Sequence, residues 1–286
     1  MNSKSVSLPI QATKLPQVAL KSIKLYFSVI GKTLPSWSLY FALLFIATYM
    51  QQWLKGDFIL NMIIGLLPDL MLPFFLATLL IAINNNLIEY TIKYKSIFLQ
   101  IFYKYPKLLL ATFFYILPSI FSVLLIFANV IHSFNYQQTT SVVEVFFIAL
   151  LTASSIFVQI TFSFIYIYIA IENQGIWHSF KDCWCLVVGN WWRTLGVFLI
   201  GMIIYVSFAL ILNVLLSILT AIITKFLLLF HPSSTVLLLP NNIKIVGMVL
   251  GTAILTPLTA CFLLVQYYDL QARKGMLSKA EEQTNK

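Results

Sequence analysis

Long apolar runs alternate with short polar stretches along the chain, and this alternation predicts six membrane-spanning helices. The runs cover residues 36–54, 59–83, 108–131, 145–171, 195–223 and 245–267. Each run is long enough to cross the hydrocarbon core of a bilayer as a helix. A helix is also the structure that satisfies its own backbone hydrogen bonds in lipid. The alternating pattern of a membrane barrel is absent from the sequence, so we predict an all-α integral membrane protein.

The second apolar run contains Pro68, Asp69 and Pro73, which leaves two interpretations open. In one, residues 58–67 lie in the interface and the spanning helix begins near Pro68. Asp69 is then a helix-terminal residue at the outer interface, a position that suits a carboxylate. In the other, a kinked helix covers 59–83 and Asp69 is an intramembrane carboxylate, which is costly and typical of proton or cation transfer.

Three polar stretches, residues 17–32, 91–107 and 174–192, have helical periodicity with one basic face and one apolar, aromatic face. In the first, Lys21 and Lys24 lie in the polar stripe, and Leu20 and Phe27 lie in the apolar one. Such helices typically lie in the plane of the membrane interface. Each precedes two predicted spans, which suggests a threefold parallel repeat of an interfacial helix and a two-span hairpin. The whole chain, 1–286, is then one membrane domain ending in a tail at 268–286.

The composition agrees with this class, because 60% of the 286 residues are hydrophobic and only 9% are charged. A soluble domain has about 25% charged residues. The net charge is +9, and Lys and Arg are distributed unequally between the predicted connections. With the N-terminus inside, the outer connections hold only Lys55, Lys225 and Lys244 of the 18 basic residues. The positive-inside rule therefore predicts that both termini and the tail are cytoplasmic.

Basic residues beside spans are typical of contacts with anionic lipid, whereas a nucleic-acid-binding protein carries a separate basic domain. The expected partners are membrane lipids with anionic headgroups, with a second copy or another membrane protein as further candidates, and no nucleic acid. Tryptophan favours headgroup depth because its ring is apolar and its N–H needs a partner. The candidate headgroup contacts are Lys21, Lys24, Lys93, Lys104, Lys181, Arg193, Trp177 and Trp184.

His178, Asp182, Cys183 and Cys185 raise the question of a metal site. On a helix, the two thiols point about 160° apart at 100° per residue, so they cannot share one ion. A structural zinc site usually needs four ligands. We therefore expect no metal and no cofactor here, with Cys183 packed as a small apolar residue. The chain also lacks the common hydrolase and phosphate-binding motifs, so we expect a protein that is not an enzyme.

Four polar residues lie inside the predicted spans: Asp69, Asn129, Gln159 and Asn213. Such residues most often bond between helices. If they instead converged in one hydrated cavity, they would line the path of a transporter or channel subunit.

Two stretches are similar to a known family. In "AIENQGIWHSFKDCWCLVVGNWWRTLGVF" the matching residues are Glu172, Gly175, Phe180, Trp184, Leu186, Gly189, Asn190, Trp192 and Arg193. In "LLVQYYDLQARKG" they are Tyr267, Tyr268, Asp269 and Arg273. These resemble YciC-like bacterial polytopic inner-membrane proteins and the related membrane domain of glycerophosphodiester phosphodiesterases. Cys183 stands where that family usually has Ser. The resemblance implies a six-span helical protein of the bacterial inner membrane, and it does not imply catalysis.

Two functions follow from these patterns. The leading expectation is a non-enzymatic membrane protein with a structural, regulatory or lipid-interacting role, because its basic amphipathic stretches suit anionic headgroups. The alternative is a transporter or channel subunit with a polar path through the helices.

Overall fold

The computed structural model describes residues 13–53, 57–88, 93–136, 142–230 and 239–275. These residues form eight helices and no strand. The helices are α1 (Leu15–Trp53), α2 (Phe58–Leu87), α3 (Tyr94–Tyr136), α4 (Val142–Phe162), α5 (Ile165–Ala170), α6 (Ile176–Val187), α7 (Trp191–Phe230) and α8 (Leu239–Arg273). The all-α prediction is confirmed for the described part of the chain.

Six helical stretches are long and apolar enough to cross a membrane, and they correspond in order to the six predicted spans. Their bounds are Leu15–Gln51, Ile59–Leu87, Tyr94–Phe127, Val143–Ala170, Trp191–Phe226 and Val249–Arg273. The apolar runs therefore located these six candidate spans correctly. The spans at α1 and α3 extend further towards the N-terminus than predicted.

The predicted interfacial stretch 17–32, and the part of 91–107 that lies in α3 from Tyr94 onward, continue into the following apolar helices. Residues 91 and 92 lie outside the described residues. Helix α1 runs through Pro35 and α3 runs through Pro106 and Pro118 without a break. The third stretch is different, because α6 is a separate helix of 12 residues. Gly189, with a φ of 86°, turns the chain between α6 and α7, and glycine adopts this left-handed conformation without steric cost.

Helix α2 settles the local position of Asp69. The helix begins after Asp57, whose side chain accepts a hydrogen bond from the backbone N–H of Leu60 at 3.0 Å. It then continues through Pro68 and Pro73 to Leu87. Asp69 is therefore inside a continuous helix, and the interpretation of Asp69 as a helix-terminal residue is wrong. Asp57 has the N-terminal capping role that the sequence interpretation gave to Asp69.

The fourth predicted span, 145–171, contains a break. Ser163 and Phe164 form a turn between α4 and α5, and all six residues of α5 are buried. Phe164 is also fully buried, and its ring lies 6.2 Å from the ring of Tyr267 on α8. The break thus places α5 in the protein interior, where it packs against α2, α3 and α6.

The buried core is concentrated around α5, the second half of α2 and the second half of α8. Fully buried side chains there include Leu80 and Ile83 of α2, Ile167 of α5, and Leu264 and Tyr267 of α8. By contrast, α3, α4 and α7 expose long apolar faces, including Phe121, Phe146 and Leu215. Exposed apolar surface of this extent suits contact with lipid.

Candidate functional site

Asp269, near the end of α8, is the centre of a cluster of hydrogen bonds and ion pairs. Its side chain is only 1% exposed. One carboxylate oxygen, Oδ1, accepts from the backbone N–H and the hydroxyl of Thr13, both at 2.8 Å. The other, Oδ2, accepts from Arg193 Nη2 at 2.9 Å and from Arg273 Nε at 3.1 Å. A buried charge needs this degree of pairing, because desolvation is otherwise costly.

The same two arginines also bind the backbone of Thr13. Arg273 Nη2 donates to the Thr13 carbonyl at 2.6 Å, and Arg193 Nη2 donates to the same oxygen. Thr13, Arg193, Asp269 and Arg273 therefore form one unit, which we call the Asp269 clasp. It joins the residues before α1 to the beginning of α7 and the end of α8. We call this end of the molecule the polar end. It consists of these helix ends together with α5, α6, the end of α2 and the beginning of α3.

A second set of hydrogen bonds lies beside the clasp. Tyr267 donates to Glu172 Oε1 at 3.0 Å and accepts from Gln271 Nε2 at 2.5 Å. Tyr268 donates to Asn84 Oδ1 at 2.6 Å. These bonds join α8 to α2 and to the segment between α5 and α6.

The structure brings together the two stretches that carry the family resemblance. Arg193 from the first pairs with Asp269 from the second, and Glu172 from the first accepts from Tyr267 in the second. Sequence reasoning did not place Asp269 in a site. Its signal was a lone acid directly after an apolar run, in a chain with only 9 acidic residues.

A cavity of about 510 Å³ opens at the polar end, between the end of α2, the beginning of α3 and α5. We call it the polar cavity. Its polar lining comes from Asn84, Asn85, Lys93, Ser96 and Gln100.

A second, shallower cavity of about 590 Å³ continues along α3. It shares Lys93, Ser96 and Gln100 with the first and adds Lys95, Leu99 and Tyr103. The polar cavity thus leads onto a surface that has two ammonium groups and an apolar wall. Ammonium, amide and hydroxyl groups together can donate several hydrogen bonds to one anion.

Most of the predicted headgroup contacts are accessible. Lys24, Lys93 and Lys181 are exposed, and Lys21 is partly buried. Trp177 and Trp184 on α6 are 73% and 46% exposed.

Lys104 and Arg193 differ from that expectation, because both side chains bind partners within the protein. Lys104 is 8% exposed, and its ammonium donates to the carbonyl of Ala170 at 2.9 Å. Ala170 is the last residue of α5, and a helix C-terminus attracts a cation. Arg193 is occupied by the Asp269 clasp. Both residues were assigned to the surface as basic residues beside predicted spans. The sequence could not show that Lys104 meets the Ala170 carbonyl or that Arg193 meets Asp269.

The candidate intramembrane polar residues have separate surroundings. Asp69 and Asn213 are exposed, and Asn213 donates to the carbonyl of Ala209 in its own helix at 2.8 Å. Gln159 donates to Ser119 at 2.5 Å and so joins α4 to α3. Asn129 belongs to α3 but lies outside the described side chains. None of the described partners links Asp69, Gln159 and Asn213 to one another, and the polar cavity is lined by other residues.

The two cysteines of α6 face in different directions. Cys183 is buried and Cys185 is exposed, while His178 is exposed as well. Burial raises the pKa of the Cys183 thiol, with a smaller contribution from the neighbouring Asp182 carboxylate. The Cys183 thiol therefore stays protonated at neutral pH.

Cys185 is expected to react with a water-soluble maleimide at neutral pH at least about tenfold faster than Cys183, because the thiolate is the nucleophile and access is required. Mass spectrometry of two single-cysteine variants, with the protein in detergent, measures both rates. Equal rates would contradict the placement of α6.

The fold and these surfaces define a multi-pass α-helical membrane protein. The chain belongs to a family described as a domain of unknown function (DUF7847), whose profile matches residues 14–270. Comparison with curated proteins and with solved structures gave no match. The family description does not include the YciC-like resemblance, which stays a prediction from the sequence.

Proposed function

We propose that this protein is a non-enzymatic protein of the bacterial inner membrane that binds an anionic phospholipid at its polar end, with both termini in the cytoplasm. The observation that supports this proposal is the polar cavity. Its lining combines the Lys93 ammonium, the Ser96 hydroxyl and the amide side chains of Asn84, Asn85 and Gln100.

The chemistry of this lining suits a phosphate group. A lysine offers a point charge with three N–H donors, and the amides and hydroxyl add donors that fix orientation. Lys95 lies on the neighbouring surface beside Leu99 and Tyr103. That surface offers an apolar support for the glycerol and the first part of an acyl chain, next to the headgroup.

The distribution of basic residues supports a position of the polar end on the cytoplasmic side of the membrane. Fifteen of the 18 basic residues fall in predicted inner segments, where the leaflet of a cytoplasmic membrane is negatively charged. The amphipathic character of α6 adds to this proposal, since Lys181 and two tryptophans are exposed on it. We place α6 and the first turns of α1 and α3 at headgroup depth. The threefold repeat remains a prediction.

Replacing Lys93 and Lys95 together by Gln is expected to weaken the binding of anionic phospholipid by about 2 kcal/mol, or roughly thirtyfold, at about 1 kcal/mol per lysine. Native mass spectrometry of the protein from nanodiscs with equal phosphatidylglycerol and phosphatidylcholine measures the retained lipid. Wild-type protein should retain phosphatidylglycerol in preference.

The matched control is the double variant Lys55→Gln with Lys225→Gln, which removes the same charge from the predicted outer side. It should retain the lipid preference of the wild-type protein. Equal retention of the two lipids by wild-type protein, or an equal loss in both double variants, would contradict the proposal.

A further inference from the structure

A groove separate from the polar cavity lies between α7 and α8. It encloses about 210 Å³. Its walls include Val197, Gly201 and Met202 of α7, and Phe262 and Gln266 of α8. The lining is mainly apolar, but Gln266 is polar and only 2% exposed.

The shape of the groove suits a chain. Five residues of each helix line it, between Val197 and Tyr205 and between Leu258 and Gln266. Each set spans eight residue steps, or roughly 12 Å at 1.5 Å per residue. Met202 at its edge is 64% exposed, so the groove opens sideways from two helices that are candidate spans. An apolar cavity of about 150 Å³ stays dry and takes up benzene, so this larger one favours hydrocarbon over water.

Gln266 gives the groove a polar terminus. Its Nε2 donates to the Thr194 carbonyl over a long distance of 3.4 Å. A glutamine amide carries two N–H donors, and it can therefore also donate to a carbonyl that enters the groove. Arg193, one helical turn before Val197, has a side chain that is 19% exposed. Arg193 shares the single carboxylate of Asp269 with Arg273, so the clasp keeps a net positive charge. This charge lies beyond the polar terminus, on the side where an anionic group of the same molecule would lie.

We infer that this groove holds one acyl chain of a phospholipid from the surrounding bilayer, with its ester carbonyl at Gln266 and its phosphate beside Arg193. This second lipid site does not depend on the polar cavity, because the two share no lining residue.

The test uses the full-length protein in nanodiscs that contain a phospholipid with a diazirine in its acyl chain. After irradiation, peptides that contain Met202 or Phe262 should carry at least about five times the label of a peptide from the lipid-exposed face of α7 around Leu215. Uniform labelling along α7 would overturn the inference, because it would describe bulk lipid only.

The variant Gly201→Leu should fill the groove, since even a Cβ at this position lies 3.5 Å from the Phe262 ring. Labelling at Phe262 should fall about fivefold. Gly251→Leu is the matched control, because a Cβ there meets nothing within 4 Å, and labelling should not change. Unchanged labelling in Gly201→Leu would overturn the inference. If Gly201→Leu lowers the labelling at Phe262 but keeps the preference for phosphatidylglycerol, the groove and the polar cavity are separate lipid sites.

Gln266→Leu provides a test that does not depend on filling the groove. The wild-type protein should label more strongly with the ester-linked probe than with its ether-linked analogue, by about fivefold, because one hydrogen bond distinguishes them. Gln266→Leu should abolish that difference. Equal labelling of the wild-type protein by both probes would overturn the assignment of the carbonyl to Gln266.

Discussion

Replacing Asp269 by Asn is expected to lower the free energy of unfolding by about 2–3 kcal/mol, because the change removes the charge-assisted hydrogen bonds that a buried carboxylate accepts from two partly exposed arginines. Arg193 and Arg273 both pair with Oδ2 of Asp269, and the carboxylate is 1% exposed. An amide of the same size cannot neutralise either guanidinium. In either orientation its NH₂ group faces donors, those of the arginines or those of Thr13. The loss should also release Thr13, which is held by the same carboxylate.

Equilibrium unfolding in detergent, followed by circular dichroism, measures this effect. Asp69→Asn is the matched control, since it removes the same charge from an exposed position inside α2. It should not lower the free energy of unfolding, because it removes a charge that is itself costly within an apolar span. An Asp269→Asn protein as stable as the Asp69→Asn protein would show that the clasp does not hold the helix ends together.

Replacing Phe164 by Ala is expected to cost about 3–5 kcal/mol, the range for a buried aromatic side chain. Phe164 is fully buried at the turn between α4 and α5, with its ring against Tyr267. Truncation would leave a cavity between the turn that precedes α5 and Tyr267 of α8. The Tyr267 ring, whose hydroxyl donates to Glu172, would lose its contact with the Phe164 ring.

The comparison for this variant is Phe121→Ala on α3, where the ring is 56% exposed on an apolar face. Its truncation should have a small effect, since lipid or detergent contacts replace the lost ones. The same unfolding measurement applies to both variants. Equal destabilisation by the two changes would contradict the placement of the core around α5.

The sequence predicted the spans because apolar length is a local property and a helix is the required structure in lipid. It predicted less well where helices begin and end. Residues 17–32 and the following span share a helical period, so the pattern carries no signal for a break, and α1 is continuous. The turn at Ser163 and Phe164 lies inside an uninterrupted apolar run, so composition gave no indication of it.

The polar end could not be predicted from local patterns, because its contacts join distant positions. Arg193 and Asp269 are 76 residues apart in the chain, and Thr13 and Asp269 are 256 apart. The resemblance marked both Arg193 and Asp269, yet Arg193 was assigned to the membrane surface because it is a basic residue beside a predicted span. Lys104 was assigned to the surface for the same reason. In both cases a buried partner supplied by another segment outweighed the local amphipathic pattern.

The most direct test of the proposed lipid binding is photo-crosslinking in nanodiscs with phosphatidylglycerol that carries a photoreactive group at its headgroup. Crosslinks are located by peptide mass spectrometry, with the corresponding phosphatidylcholine probe as the comparison. We predict that phosphatidylglycerol crosslinks concentrate on the beginning of α3, around Lys93 and Gln100, and exceed those of phosphatidylcholine severalfold there. Crosslinks spread evenly over the helix ends, or equal for the two lipids at Lys93, would contradict the account.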